Sequence, residues 1–410
     1  MANKNIPQIR FKGFDGEWEK KILGEVVTIC SMKRVHQSDW TTSGIRFFRA
    51  RDVVAAFKNE EIEPIFISEE KYREYSSLCG KVSIGDLLVT GVGTIGVPYL
   101  IKDSNPIYIK DGNIIWMKNN GSFNGDFLYH CFCGNKVQQF IKETAGTGTV
   151  GTYTIANGKK TPIDFTSLPE QNKIASLFTS LDKQISCSEA KLDKLRTIKK
   201  TLLKKMFTSQ GEKTPQIRFK GFDGEWEEKK LEEIGKVFDG THFTPKYTEY
   251  GIPFYSVESI VSELPPKHIS VEDHKKNTQT NKPQKGDILI TRIGSLCNVK
   301  QMEYEGEYSI YVSLADIQVK TIYNSTFFLY YLQTQEYKED FLMRSLTTAV
   351  PQKINMNELK STIVRHSPNI SEQSKIASLF TSLDKQIRVQ EAKTEKLKAV
   401  KKTLLKKMFV

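Results

Sequence analysis

Glycines are the residues whose type and spacing first suggest chemistry. Gly91, Gly93 and Gly96 in GVGTIG satisfy the G-x-G-x-x-G pattern that lets a backbone approach a pyrophosphate, and Asp111 stands where a ribose-binding acid would. That chemistry also needs a helix to follow, whose N-terminus holds the phosphates. VPYLIK follows instead, with Pro98 inside a strand-like run. GTGTVG at 146–151 fits the same pattern, which shows how little the pattern alone selects. GKKT at 158–161 lacks the Ser or Thr that a phosphate loop places directly after its first Lys. His130, Cys131 and Cys133 stand together as HCFC, but on a helix they point to different faces, which favours the core over a metal. No Asn/Asp-Pro-Pro-aromatic tetrapeptide is present to hold a base for methyl transfer, and no nuclease-like carboxylate–Lys cluster stands out. The reading is a chain that binds and does not catalyse, with no metal or cofactor of its own.

Binding chemistry is better supplied. Lys and Arg number 60 against 48 Asp and Glu, a formal net charge of +12, which favours a polyanionic partner. Basic, hydroxyl and imidazole side chains recur in polar, Gly-rich stretches. Small polar residues let backbone approach phosphate, while Arg and His reach base edges. The DNA-binding candidates in the first half are Lys33, Arg34, His36, Arg46, Arg49, Arg51, Thr147, Thr149, Lys159 and Lys160. In the second half they are Thr241, His242, Lys246, Arg292, Ser295, Arg344 and Lys353. No window approaches the ~18 apolar residues of a membrane span. The start, MANKNIPQIRFKGF, has no signal-peptide core. Six cysteines without framework spacing read as reduced thiols, so a cytoplasmic protein is expected.

The elements that must position these residues are written twice. PQIRFKGFDGEWE at 7–19 recurs at 215–227, KIASLFTSLDKQI at 173–185 recurs at 375–387, and KKTLLKKMF at 199–207 recurs at 401–409. The period of roughly 200 residues is far too long for a solenoid repeat. Between these blocks, 30–165 and 238–365 share only traces, such as IGDLLVT at 84–90 against KGDILIT at 285–291. Each half is a shared frame around a divergent body, and two bodies on one frame suggest two related tasks of different specificity.

Both bodies read as mixed α/β, with short β-rich runs such as ILGEVV, IRFFRA, DLLVTGVG, IYIK and NIIWM between turns. A helix is expected over 124–142, with a copy near 325–343. The frame reads as long helix. Residues 170–207 contain no Gly or Pro and carry Ile174, Phe178, Leu181, Ile185, Ser188, Leu192 and Leu195 at three–four spacing. The copy over 372–409 carries Ile376, Phe380, Leu383, Ile387, Leu397 and Leu404. Each helix is about 57 Å long at ~1.5 Å per residue and cannot bury its own stripe. Its natural partner is its twin, set antiparallel across a pseudo-twofold axis. Asn369-Ile370-Ser371, where the first copy has Leu168-Pro169, leaves the second helix start less well marked.

At this point the layout resembles the specificity subunit of type I restriction–modification systems. The matching features are LPEQNKIASLFTSLD and NISEQSKIASLFTSLD, the KKTLLKKMF ends, the opening PQIRFKGFDGEWE and the segment DGTHFTPKYTEYGIPFYSV. The resemblance spans essentially the whole chain. It implies two α+β target recognition domains, at 1–169 and 215–371, joined by two long antiparallel coiled-coil helices at 170–207 and 372–410, with a linker at 208–214. Each domain would read one half of a bipartite, asymmetric site in double-stranded DNA, and the helices would set the unread gap. It also implies two modification subunits that use S-adenosylmethionine and restriction subunits that use ATP and magnesium, cofactors that belong to the partners. The alternative is a scaffold or adaptor without sequence-specific DNA binding.

Overall fold

The computed structural model describes residues 5–58, 60–110, 112–145 and 151–409. The chain divides into two compact units. One takes residues up to Glu189 together with the segment from Ala392, and the other takes Ala190–Glu391.

In the first unit, strands Thr28–Cys30, Ile114–Lys118, Leu87–Thr90 and Pro98–Leu100 form an antiparallel sheet in that spatial order. A second sheet runs Trp40–Thr41, Phe66–Ile67, Ile45–Phe48, Ile107–Ile109, the last pair parallel. Glu19–Ile22 pairs with Pro162–Phe165 in a third. The second unit repeats this plan. Gly235–Asp239, Leu314–Val319, Ile288–Thr291 and Val299–Gln301 form one sheet. Tyr247–Thr248, Lys267–Ile269, Ile252–Tyr255 and Ser309–Ile310 form the next, and Glu227–Lys230 pairs with Ile363–His366. Leu87–Thr90 and Ile288–Thr291 are buried along their whole length, which is why they read as continuous apolar runs. Each is launched by a turn with a left-handed glycine, Gly85 (φ 88°) or Gly286 (φ 90°). The following Asp86 accepts from the amides of Ser83 and Asn119 and from Trp116 Nε1.

Two sequence expectations change. ILGEVV is no strand: Leu23–Val26 is a short helix, because buried Leu23 anchors the turn before Thr28 enters the sheet. The helix expected over 124–142 is two, Gly125–Cys133 and Asn135–Thr144, broken where Gly134 takes an extended conformation. Its copy breaks likewise into Ser325–Tyr331 and Gln335–Met343, where the Thr334 hydroxyl caps the second helix by accepting from Tyr337 N.

The long helices span Leu168–Lys205 and Ile370–Met408. The second start is well marked after all, because Asn369 Oδ1 accepts from Ser371 N at 2.9 Å. Within the first unit, residues advancing along one helix meet residues receding along the other. Phe178 lies near Phe409 (5.8 Å), Asp182 meets Lys401 (2.5 Å) and Ser188 bonds Thr394 (2.8 Å), with Lys398 reaching Glu189 (2.9 Å) from a turn further along its helix. The second unit shows the same antiparallel order in Phe380–Phe207 (5.8 Å), Asp384–Lys199 (2.7 Å) and Glu391–Arg196 (2.6 Å). Ile174, Phe178, Leu181, Leu192, Ile376, Phe380 and Leu383 are buried. Ile185, Leu195, Ile387, Leu397 and Leu404 are half-buried, since the middle of the pair is polar, with Ser188, Gln390 and Thr394 inside. Residues at the helix starts also enter the cores of the bodies: Ile174 and Phe178 join Phe127 and Leu128, and Ile376 and Phe380 join Phe327 and Tyr331. The polar stretch 208–214 is folded down, with Thr208 buried and Gln210 N donating to Glu336. Among the described residues no helix is long and apolar enough to cross a membrane.

Candidate nucleic-acid interface

In the second body, the chain leaves strand Ile288–Thr291 into a tight loop. Thr291 closes it by accepting Cys297 N on its carbonyl (3.0 Å) and Asn298 N on its hydroxyl (2.9 Å). Cys297 takes φ 59° to complete the turn. The loop is tied to the segment after Arg344. Gly294 N donates to Gln352 O (2.8 Å), Ile354 N donates to Arg292 O (2.9 Å), and Lys353 bridges both Ile293 and Leu346.

Arg292 is the hub. Its side chain is 9% exposed, and Nη1 donates to Val312 O (2.8 Å) and reaches Asp239 Oδ2 at 3.3 Å. Nε is buried without a partner. Burial lowers the guanidinium pKa from its ordinary value, and Asp239 opposes that shift. The same Asp239 oxygen lies 3.2 Å from His242 Nε2. Thr241 N donates to Ile310 O and Thr241 O accepts from Val312 N, both at 3.0 Å, so the 239–244 loop is bolted to the 310–312 segment, whose Val312 carbonyl also accepts from Arg292. Thr241, His242, Arg292 and Lys353 are therefore linked through shared hydrogen bonds, with Ser295 exposed on the adjoining turn and Lys246 exposed further along. Arg344 is engaged at the end of its helix by Asp340 (2.8 Å) and Glu358 (3.9 Å).

The first body is built differently at the same place. Gly91 N donates to Asn113 O (2.8 Å) as Arg292 N does to Ser313 O (2.9 Å), so Gly91 occupies the position of Arg292. A Cβ on Gly91 would stand 2.8 Å from Tyr153 O, so no side chain fits there without a shift. Strand Pro98–Leu100 follows GVGTIG, and no helix N-terminus caps that loop.

Like Arg292, Arg49 was proposed from sequence as a DNA contact and is buried, both residues at 7% exposure as a whole. It forks onto Asp52 (2.6 and 3.1 Å), which also accepts from Arg46 (2.9 Å), so Arg49 serves the interior. Arg46 remains half-exposed on the rim of a cleft with Phe48, Tyr99 and Lys102. Arg51 is exposed and lines a second cleft with Val92, Gly93 and Thr94. Lys33 is exposed, lying over the Tyr75 ring (4.2 Å) and near Glu74 (3.7 Å). Arg34 and His36 are exposed beside it, and Lys159 and Lys160 are exposed at the end of helix Ile155–Lys160. Thr147 and Thr149 lie outside the described residues.

Asp239, the acid that organises the second body's loops, was not singled out from sequence, although it opens the DGTHF segment. Among the described residues no group of three His, Cys, Asp or Glu side chains converges on a metal-sized site. The HCFC histidine, His130, is buried against Phe178 with ring centroids 4.8 Å apart.

A family model described as type I restriction modification DNA specificity domain matches residues 15–197 and again 223–399. A relative from Methanocaldococcus jannaschii, the type I restriction enzyme MjaVIII specificity subunit, is 24% identical over 303 residues, 68% of each chain. Among solved structures, the chain is similar to the type I restriction–modification S subunit from M. genitalium, with a TM-score of 0.65 at 16% identity over 99% of both chains. It is also similar to a chain from work on complex assembly and conformational transition of the type I R-M system, with a TM-score of 0.53 at 16% identity over 95% of this chain and 96% of that one.

Proposed function

The chain belongs to the type I restriction–modification DNA specificity family, and from that premise we propose that it is the subunit that chooses the DNA sequence for a complex whose chemistry lies in other chains. Residues 1–169 and 215–371 are the two readers, each taking one half of a bipartite, asymmetric site in double-stranded DNA. The helices at 170–207 and 372–410 set the unread gap and dock two modification subunits, which supply S-adenosylmethionine-dependent adenine methylation. Restriction subunits then add ATP- and magnesium-dependent translocation and cleavage, in the cytoplasm. The observation that carries this reading is the contrast between bodies of one topology: Arg292, Asp239 and His242 form a linked polar cluster in one, while the equivalent position in the other is Gly91, closed against Tyr153 O. One plan with two unlike reading edges is what an asymmetric site of unlike halves requires.

Genome-wide mapping of methylated adenines, in cells with and without this chain alongside its modification subunits, tests the proposal. A bipartite motif that appears only with the chain is the expected result. Methyl transfer by the purified chain alone would show that chemistry resides here. A methylation pattern independent of the chain would favour an adaptor.

A further inference from the structure

Phe243 is 82% exposed, an unusual cost for a large apolar ring held at a fixed place on a folded surface. The loop that carries it is pinned on both sides. Phe243 N donates to Thr241 Oγ1 (3.2 Å), Thr241 bridges Tyr311, and the Thr244 hydroxyl lies 3.3 Å from Tyr311 Oη. Behind the loop the Tyr311 ring packs on Phe254 (5.9 Å), which packs on Tyr247 (6.0 Å). The ring is thus presented on a rigid base. Along the chain His242 precedes it and Lys246 stands three residues on, and Lys267 lies over the Tyr247 ring at 4.5 Å. The nearby carboxylate, Asp239, is already shared by Arg292 and His242. An exposed ring on a pinned loop with a cationic rim fits one kind of partner: stacked bases flanked by phosphates.

The first body places no such ring at the corresponding position. Cys30 pairs with Trp116 and Phe238 pairs with Asp316, and Val35 and Phe243 stand equally far beyond those strand residues. Val35 is 5% exposed, tucked into the core with Met32 and Phe47.

Resting on the specificity reading above, we propose that Phe243 inserts between bases of the half-site read by the second body and opens that step, and that the half-site read by the first body has no such step. Unstacking is easiest at pyrimidine–purine steps, so the ring would add a sequence preference at a place where no hydrogen bond reads a base.

The test uses the full chain co-produced with its modification subunits and a random-sequence duplex library. Native complex should enrich a bipartite motif. Duplexes of that motif carrying 2-aminopurine at successive positions other than the methylated adenines, which the modification subunits themselves extrude, should brighten on binding at one step of one half-site. With Phe243→Ala the brightening should vanish and affinity fall about tenfold, the scale of losing one base–aromatic stack. The salt slope should hold, since no phosphate contact is lost. Phe243→Trp should keep both signals, which excludes a folding defect. If native complex enriches no motif, the specificity reading fails and this proposal with it. If it enriches a motif that Phe243→Ala binds equally well with the same brightening, the inserted ring alone is overturned, as it would be if the ring served a protein contact.

Discussion

The guanidinium of Arg10 forks onto the carboxylate of Glu170, Nε to Oε1 at 2.7 Å and Nη2 to Oε2 at 2.8 Å, and that carboxylate is wholly buried. The same guanidinium donates to the carbonyls of Asp15 and Gly16. One side chain therefore ties the PQIRFKGFDGEWE turn to the start of the long helix. Arg218 repeats the fork on buried Glu372 at 2.6 and 2.8 Å, with Asp223 and Gly224 as its carbonyls. Removing Arg10 leaves a buried charge without its cation, so Arg10→Ala should cost about 3–5 kcal/mol. Urea unfolding checks this. A loss under ~1 kcal/mol would mean that the carboxylate is rescued by water or by its bond to Thr166.

His130 makes the first unit acid-sensitive. Burial, and then the charges of Lys401 and Lys102, push its imidazole down to about 3. Asp182, 4.0 Å away, is engaged by Lys401 and does not hold the proton on. The folded pKa lies below the unfolded value of ~6.5, so the unfolded chain takes up the proton first. Stability should be fully present above ~6.5 and fall as pH drops toward 3, by at most ~1.4 kcal/mol per pH unit from this group. His130→Leu should flatten that part of the profile. Native and variant losing equally between pH 7 and 5 would clear His130.

Asp316 acts in the opposite sense. It is fully buried on the strand beside Phe238, close to the carboxyl of Asp287. Burial, then the charge of Asp287, raise its pKa well above the usual carboxylate range. The folded pKa exceeds the unfolded ~3.9, so this contribution is present below that value and is lost as pH rises toward the folded pKa. Asp316→Asn removes the penalty and should stabilise at neutral pH by on the order of 1 kcal/mol. A gain at pH 5 as large as at pH 8 would contradict this origin.

Arg292 should govern one half of the DNA motif. Arg292→Ala frees Asp239 and loosens the 239–244 loop, so specific binding should weaken and the second body's half-site should relax. Arg292→Lys should restore part of it, because both bonds, to the Val312 carbonyl and to Asp239, come from the one nitrogen Nη1 and an ammonium carries enough donors to make them. The first half-site should stay as it was. Motifs methylated by complexes carrying each variant decide the matter, and relaxation of both halves together would deny the loop its local role.

Arg292 also shows where sequence reading ran out. The frame was legible because it is written twice: the two long helices, each starting two residues earlier than expected, the Gly85 and Gly286 turns and the apolar stripe follow from residue type and spacing. Rejection of GVGTIG as a nucleotide loop rested on Pro98, and a strand does follow. Burial of single arginines was not legible. Asp52 three residues beyond Arg49 hinted at an internal pair. Asp239 is 53 residues from Arg292, and only the fold brings them together. The exposure of Phe243 had no signal at all, because the same loop position in the first body holds a buried valine.

The last prediction concerns the spacer. Asp182–Lys401, Ser188–Thr394 and Glu189–Lys398 pair the two helices within the first unit, so residues inserted among them in one helix alone would break register there. Insertions must be paired, one between Glu189 and Ala190 and one between Glu391 and Ala392, where the pairs within each unit stay intact. Four residues in each add about 6 Å at ~1.5 Å per residue and nearly complete a turn, so the apolar face is kept. DNA rises ~3.4 Å per base pair. The methylated motif should then gain roughly one to two base pairs of unread gap while both half-sequences stay the same. Two residues in each helix would rotate the stripe by about 200°, and should cost folding or assembly. An active four-residue variant that retains the original gap would show that the helices do not set the spacing.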